Sequence, residues 1–325
     1  MKITYGTAKE NIDVTDICLS KLKFNNIILI PSGDNARARY FTDPLIGTHK
    51  SLFVHINNDK IYEFDEYQQV NIDITNNIIT SNKLNNNDIN NNDINNNNKN
   101  NKLNNNDINN NISKIHRNLK LKYGSFNDEL PEQKMSVRYL KGTEKVLEIG
   151  GNIGRNSLVI SHIIGGNTNN MVVMECDSNI SQQLEENRNL NNMSFNIENS
   201  ALSIRKLAQQ GWNTVVCENG ILPNNSYKWI NTITYNELCQ KYNIKFDTLV
   251  LDCEGAFYYI LLDMPEILDN INLIIMENDY TNIEHYMYIY AKLQENKFVC
   301  EYRESGGWGP CLINFYEVWV KSPSN

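Results

Sequence analysis

The chain has 325 residues, a formal net charge of −8 and a hydrophobic content of 41%. That length suits one large domain or two modest ones, and the acidic balance argues against a sequence-independent grip on a phosphate backbone, so nucleic acid is not an expected partner. Seven scattered cysteines, with no CxxC pair, suit reduced thiols rather than a disulfide or zinc framework, and with no apolar run of membrane-spanning length and no signal-like N-terminal core the expectation is a cytoplasmic protein without a membrane partner.

In chain order, residues 1–75 predict a small β-rich domain, a sandwich or barrel. "NNIILIPSGD" reads as a strand ending in a turn. "KSLFVHINNDKIYEF" reads as two strands around a polar turn. "YQQVNIDI" alternates Val70, Ile72 and Ile74 on one face. Between them "GDNARARYFTDP" carries Arg37 and Arg39 beside aromatics. It reads as a solvated edge more readily than as a loop for anionic sugars.

Residues 76–112 are mostly asparagine, and the unit "KLNNNDINNN" occurs at Lys83–Asn92 and again at Lys102–Asn111. Such a composition buries too little apolar surface to offset its ordering entropy, and its isolated Ile and Leu residues show no helix or strand period. A disordered linker is expected.

Residues 113–325 alternate helix and strand signals, which predicts an α/β domain built on a mostly parallel sheet. "ELPEQKMSVRYL" places Pro131 where a first helical turn tolerates it. Short apolar runs follow in "KVLEIGG", "NMVVMECD", "SFNIENSAL", "FDTLVLDCEG" and "INLIIMEND", each ending in a polar or acidic residue. The chain closes on "KFVCEYRESGGWGPCLINFYEVWVK", a long hairpin.

In a parallel sheet, ligands gather beyond the carboxyl ends of the strands. There "VLEIGGNIGRNS" turns from a strand into a helix through Gly150, Gly151 and Gly154. Glycine lets backbone approach a ligand closely, and the helix start offers unpaired N–H groups. The dinucleotide pattern G-x-G-x-x-G fails, because Asn152 and Arg155 stand where glycines are required. The spacing fits an E-x-G-x-x-x-G turn of the kind that holds S-adenosylmethionine. Glu148 would orient the loop or reach the amino-acid part of that cofactor, and Glu175, ending the next strand, would accept the ribose hydroxyls. Glycine-rich turns also serve packing alone, so the weight rests on Glu148, the turn and Glu175 together.

The words "VLEIGGNIGRNSLVIS", "VVMECDSNISQQLEENRNLNN", "ENSALS", "NTITYNEL", "FDTLVLDCEGAFYYIL" and "LIIMEND" occur in that order between about Lys145 and Glu301. On them this half resembles the FkbM-type methyltransferases, a branch of the class I S-adenosylmethionine-dependent enzymes. Phe257 stands where that family usually has a second glutamate. The whole chain also resembles proteins of mimivirus-like giant viruses, which would place it in a host cytoplasm. The resemblance implies a Rossmann-like seven-stranded sheet with helices on both faces, six strands parallel and one antiparallel strand inserted from the terminal hairpin. It implies S-adenosyl-L-methionine as methyl donor. Glu148, Gly150, Asn152 and Gly154 fall on its cofactor loop, Glu175 on its ribose acid, Ala201 and Leu202 beside its adenine, and Asp252 and Glu254 on the motif after its fourth strand.

An amine acceptor would call for an Asn/Asp-Pro-Pro-aromatic word after the fourth strand. "DCEG" stands there instead, so a hydroxyl on a sugar, glycan or sugar nucleotide is the expected acceptor. Asp252, Glu254, Glu277 and His285 are the candidates for receiving its proton. In an extended chain Asp252 and Glu254 would point to one side, while a lone helical His285 is more often structural. The same carboxylates could hold Mg²⁺, which is not the favoured reading. Trp308 would be a sugar platform or a packing tether. Two readings of other classes remain: a glycan-binding protein on a degenerate methyltransferase fold, and a nicotinamide-dependent sugar enzyme.

Overall fold

In the computed structural model, residues 1–24, 26–56, 60–75, 78–83, 104–166, 169–307, 311 and 314–322 are described. The chain divides into two compact units. One comprises Met1–Asn98, Asp279–Glu295 and Arg303–Phe315; the other comprises Lys99–Asn278, Asn296–Tyr302 and Tyr316–Asn325. The division is therefore not a single cut near residue 113, since two late segments group with the N-terminal part.

The second unit is built on one seven-stranded sheet. Its strands are β1 (Val146–Ile149), β2 (Met171–Met174), β3 (Asn196–Glu198), β4 (Thr248–Leu251), β5 (Leu273–Glu277), β6 (Phe298–Glu304) and β7 (Tyr316–Lys321). They lie in the order β3-β2-β1-β4-β5-β7-β6. Strands β3, β2, β1, β4 and β5 are mutually parallel, and β7 runs antiparallel to β5. This is an α/β fold on a mixed sheet, and the inserted antiparallel strand comes from the terminal hairpin as expected. Central strands of such a sheet are covered on both faces and read as unbroken apolar runs. Accordingly every residue of β1, β2 and β4 is buried, so the one acid within β1, Glu148, is held inside the sheet.

The helices of this unit begin with α1 (Asn105–Asn118), α2 (Leu130–Tyr139), α3 (Arg155–Ile163), α4 (Ser178–Leu190), α5 (Tyr235–Tyr242) and α6 (Phe257–Asp263). Their starts are chemically marked. The Asp177 carboxylate accepts the N–H groups of Asn179 and Ile180 at the head of α4, and Thr234 with Glu237 forms a capping box on α5.

Helix α1 corrects the expected linker. The sequence reads as aperiodic to Ile112, yet Ile108, Ile112 and Ile115 are buried in the core of this unit with Leu119. Spacings of four and three residues put them on one helix face. Asn104 caps the helix through its side-chain oxygen on the Asp107 N–H. The second copy of the repeated decapeptide thus supplies a helix start, because "ISKIHRNL" behind it completes the apolar stripe. Residues 84–103 lie outside the described residues.

The first unit contains two four-stranded sheets. One runs Asn11–Asp13, Lys2–Gly6, Ser51–Ile56, Lys60–Asp65; the other runs Lys23–Phe24, Ile27–Ile30, Gln68–Asp73, Ile78–Lys83. The strand Ile78–Lys83 pairs antiparallel with Gln68–Asp73, so the linker expectation also fails at this end. The "GDNARAR" stretch is not a loop: Asp34–Phe41 is helical, and while Arg39 is exposed as a solvated edge requires, Arg37 has no exposed surface. Its guanidinium donates to the carbonyls of Pro31 at 2.9 Å and Gln68 at 2.6 Å. Lys50 is equally buried and sits between Asp34 and Asp43, 3.0 Å from each. These cations are internal ties to carbonyls and carboxylates, with Arg37 Nη1 left without a hydrogen-bond partner among the described residues.

Candidate functional site

At the end of β1 the chain passes through Gly150 and Gly151, Asn152 and Ile153, and Gly154, before α3. Gly150, Asn152 and Gly154 all have positive φ, 90°, 46° and 93°. At Gly150 the need for glycine is steric as well: a Cβ would stand 1.6 Å from the Asp252 carbonyl oxygen. The Asp252 N–H in turn donates to the Ile149 carbonyl at 3.0 Å. The end of β1 and the end of β4 therefore touch backbone to backbone, and only a residue without a side chain fits between them.

Glu175, directly after β2, is 8% exposed. One carboxylate oxygen accepts the Asn152 N–H at 3.0 Å, and the other accepts the Asp177 N–H at 2.8 Å. Burial raises its carboxyl above the ordinary range, and those two backbone donors act against the rise. The acid at the end of β2 is thus tied to the middle of the glycine loop, with lone pairs on both oxygens still available to a diol.

Glu148 is 3% exposed, and its Oε2 has no hydrogen-bond partner among the described residues. Burial pushes its carboxyl up to about 8. The Ser157 hydroxyl on α3 lies beside it and pulls it down slightly without reaching hydrogen-bond geometry, while the nearby Glu129 adds to the rise. Burial therefore favours its protonated form.

Glu129, just before α2, is a functional candidate that the sequence did not reveal. Its Oε1 accepts from the Asn152 side-chain amide at 3.2 Å and from the Arg155 guanidinium at 2.5 Å. Arg155 also lies 3.5 Å from Asp128. Nothing in "NDELPEQ" signals this, since the partners are more than twenty residues away and the local pattern marks only a helix start. Asn187 on α4, equally unmarked, holds the loop from behind through the Ile153 carbonyl at 2.9 Å.

Beyond β3, Glu198 looks like a third strand-end acid but is occupied by Lys241, Tyr242 and Ser200 at 2.6, 2.9 and 3.0 Å. Ala201–Leu202 pairs with Thr232–Ile233 in a short parallel ladder. The Ala201 N–H is spent on the Asn231 carbonyl, and the Leu202 side chain is buried.

Strand β4 ends at Leu251, and the next residues correct the extended-chain expectation. Cys253 and Ala256 close a tight turn through a 2.9 Å hydrogen bond, with Glu254 and Gly255 at its centre at φ 51° and 78°. Asp252 and Glu254 consequently do not alternate along a strand, and Glu254 is exposed. Asp252 is half-buried, and it meets a different neighbour: one of its carboxylate oxygens and one of Glu277, at the end of β5, lie within 4.8 Å. Two acids at this spacing keep a divalent cation compatible with the site without requiring one. His285 is in the first unit, half-buried on the helix Ile283–Glu295, where burial lowers its imidazole and Glu284 opposes this. Trp308 lies outside the described residues. Among the described residues, no helix is long and apolar enough to cross a membrane.

No family model matches the chain, and no curated protein matches it. Solved structures similar to it include a ribosomal protein L11 methylase from Lactobacillus delbrueckii subsp. bulgaricus, at 12% identity over 62% of this chain and 82% of that one, TM-score 0.39. A second is an O-methyltransferase from Bacillus cereus in complex with SAH, at 14% identity over 66% and 90%, TM-score 0.36. A third is a tRNA m1G37 methyltransferase from M. jannaschii, at 8% identity over 62% and 52%, TM-score 0.37. Likenesses at these TM-scores carry no argument about cofactor or acceptor, which rest on the chain's own residues.

Proposed function

We propose that this chain is an S-adenosyl-L-methionine-dependent methyltransferase of FkbM type, acting on a hydroxyl of a sugar, glycan or sugar nucleotide. One observation carries the cofactor reading: a buried acid at the end of β2, Glu175, grips the N–H of Asn152 in a left-handed glycine loop between β1 and α3. The residues fit the cofactor on one further count: Glu148 keeps a buried carboxyl oxygen without a partner among the described residues. Glu175 would receive the ribose hydroxyls, Gly150, Asn152 and Gly154 would line the loop, and Ala201 and Leu202 would flank the adenine. When bound, the cofactor supplies a methyl group already activated on a sulfonium.

The chain's own residues then have two tasks, to align the acceptor and to take its proton. Asp252 is the first candidate for the proton, because the Gly150 contact fixes its backbone beside the loop and Glu277 stands next to it. Glu254 and Glu277 are further candidates. The hydroxyl preference rests on "DCEG" standing where amine-directed enzymes carry a proline-rich word, and the sugar class rests on the family resemblance alone. A nicotinamide site is disfavoured by Asn152 and Arg155 in place of the required glycines.

The test is single-turnover transfer of a labelled methyl group to a panel of sugars, glycans and sugar nucleotides, with wild type and Asp252→Asn. Loss of about 10²–10⁴ in rate is expected in the variant, with cofactor affinity little changed. Equal rates would remove Asp252 from the chemistry. Loss of wild-type transfer in EDTA, restored by Mg²⁺, would assign Asp252 and Glu277 to a metal instead.

A further inference from the structure

Between β3 and α5 the chain leaves the main sheet and folds Leu207–Gln210, Asn213–Val216 and Lys228–Trp229 into a separate three-stranded antiparallel sheet. Two contacts tie this insert to the rest of its unit. The Cys176 thiol, next to Glu175, donates to the Gln209 side chain at 3.6 Å. Arg205, just ahead of the first strand, donates to both carboxylate oxygens of Asp263 on α6, at 2.6 and 2.8 Å. The insert is therefore held to the chain after β2 and to the helix after β4, the two neighbours of β1 in the sheet.

Two consecutive cations of the insert each lie over an aromatic ring. The Arg205 guanidinium is 5.3 Å from the ring centre of Tyr259 on α6, and Lys206 Nζ is 4.2 Å from that of Trp229. The register accounts for the second pair. Trp229 stands opposite Ala208, and Lys206, two residues earlier with its carbonyl still accepting the Cys217 N–H, falls on the same face. Tyr259 and Trp229 remain 41% and 40% exposed, so each ring offers surface to a ligand. Arg205 is spent on Asp263, with Glu218 also in electrostatic reach, whereas Lys206 has no ion-pair partner among the described residues. Between Ser203 and Asn231 the cations Arg205, Lys206 and Lys228 stand against one acid, Glu218, in a chain of net charge −8. This local reversal of sign favours an anionic ligand.

Outward from Asp252 the chemistry comes in a fixed order. Helix α6 starts directly after the turn that follows Asp252, and Tyr259 is on its first turn. Arg205 covers Tyr259, and Lys206 with Trp229 comes next. A carboxylate is thus followed by cations and then by an aromatic platform. A sugar nucleotide presents the complementary groups in the same order: a sugar hydroxyl, a diphosphate and a flat base. A glycan chain has no such order. Resting on the methyltransferase reading, we propose that this strip binds the acceptor and that the acceptor is a sugar nucleotide, its base stacked on Trp229 and its diphosphate held by Lys206. Ring stacking and a charge-assisted hydrogen bond to phosphate act together only on a ligand that carries both groups.

Titration calorimetry on the full chain, with S-adenosylhomocysteine saturating the donor site, tests this with four kinds of probe: the diphosphates of uridine, guanosine, cytidine and thymidine, their sugar conjugates, inorganic pyrophosphate, and an uncharged hexasaccharide. At least one nucleoside diphosphate should bind one-to-one. Trp229→Leu and Lys206→Gln should each weaken it about tenfold or more and leave the denaturation midpoint and S-adenosylhomocysteine affinity unchanged. Pyrophosphate should bind more weakly and respond to Lys206→Gln but not to Trp229→Leu. Absence of nucleotide binding, nucleotide binding that neither variant weakens, or binding of the hexasaccharide alone would overturn the assignment. Failure of the wild type to bind S-adenosylhomocysteine would remove the methyltransferase reading instead, and the nucleotide titrations repeated without it would still decide for or against a site at Lys206 and Trp229.

Discussion

Glu148 places a carboxyl inside a parallel sheet, where its Oε2 has no hydrogen-bond partner among the described residues. Its folded-state value, pushed up to about 8, lies above the ordinary unfolded one, so between roughly pH 4.5 and 8 the folded chain holds a proton that the unfolded chain has released. This residue's contribution to stability is therefore fully present at low pH and falls as pH rises through that window, on the order of 1 kcal/mol per pH unit. Glu148→Gln removes the group that titrates while keeping its shape. Denaturant unfolding of wild type and Glu148→Gln at several pH values between 5 and 9 should show the variant gaining relative stability as pH rises. Parallel pH dependences in the two proteins would mean that this carboxyl ionises freely. Glu129 and Glu175 are raised by burial in the same direction, so the variant should flatten the profile rather than abolish its slope.

At the scale of elements, α1 is the piece whose nature was hidden. Ile108, Ile112, Ile115 and Leu119 make a helical stripe, but three asparagines precede Ile108 and three follow it, and composition alone reads the stretch as linker. The stripe exists because α2 offers a surface. His116 bonds Gln133 at 2.7 Å and stacks on Phe126 with ring centroids 4.6 Å apart. Ile112→Ala should cost about 2–5 kcal/mol, whereas replacing residues 84–103 by a short Gly/Ser linker should leave the denaturation midpoint unchanged. Urea titrations of both variants decide the matter, and a larger loss in the linker replacement than in Ile112→Ala would place the structural weight on the wrong segment. By contrast β1, β2, β4 and β5 were legible, since an apolar run ending in an acid is what a doubly covered parallel strand looks like. In the "GDNARAR" helix the burial of Arg37 is not legible, because it rests on backbone carbonyls that no sequence pattern announces.

Over the whole molecule, the parallel strands and the glycine loop followed from local signals and the inserted antiparallel strand from the family resemblance, while the tertiary ties of the site did not. Gly150 was readable as a turn glycine, but its contact with the Asp252 carbonyl depends on β1 and β4 being neighbours across about a hundred residues of sequence. Glu129 and Asn187 were invisible for the same reason, and the turn at Cys253–Ala256 replaced the expected alternation of Asp252 with Glu254. Gly150, Asn152, Glu175 and Asp252 lie at the carboxyl ends of β1, β2 and β4, where the proposed cofactor would sit. The most direct measurement is calorimetric titration of S-adenosylhomocysteine, with NAD as the competing ligand, into wild type and Glu175→Ala. The account predicts one-to-one binding of S-adenosylhomocysteine to wild type, weakened about tenfold or more in Glu175→Ala by loss of charge-assisted hydrogen bonds worth about 1.5–3 kcal/mol, and no binding of NAD. Binding of NAD without S-adenosylhomocysteine, or equal affinity of S-adenosylhomocysteine for both proteins, would contradict it.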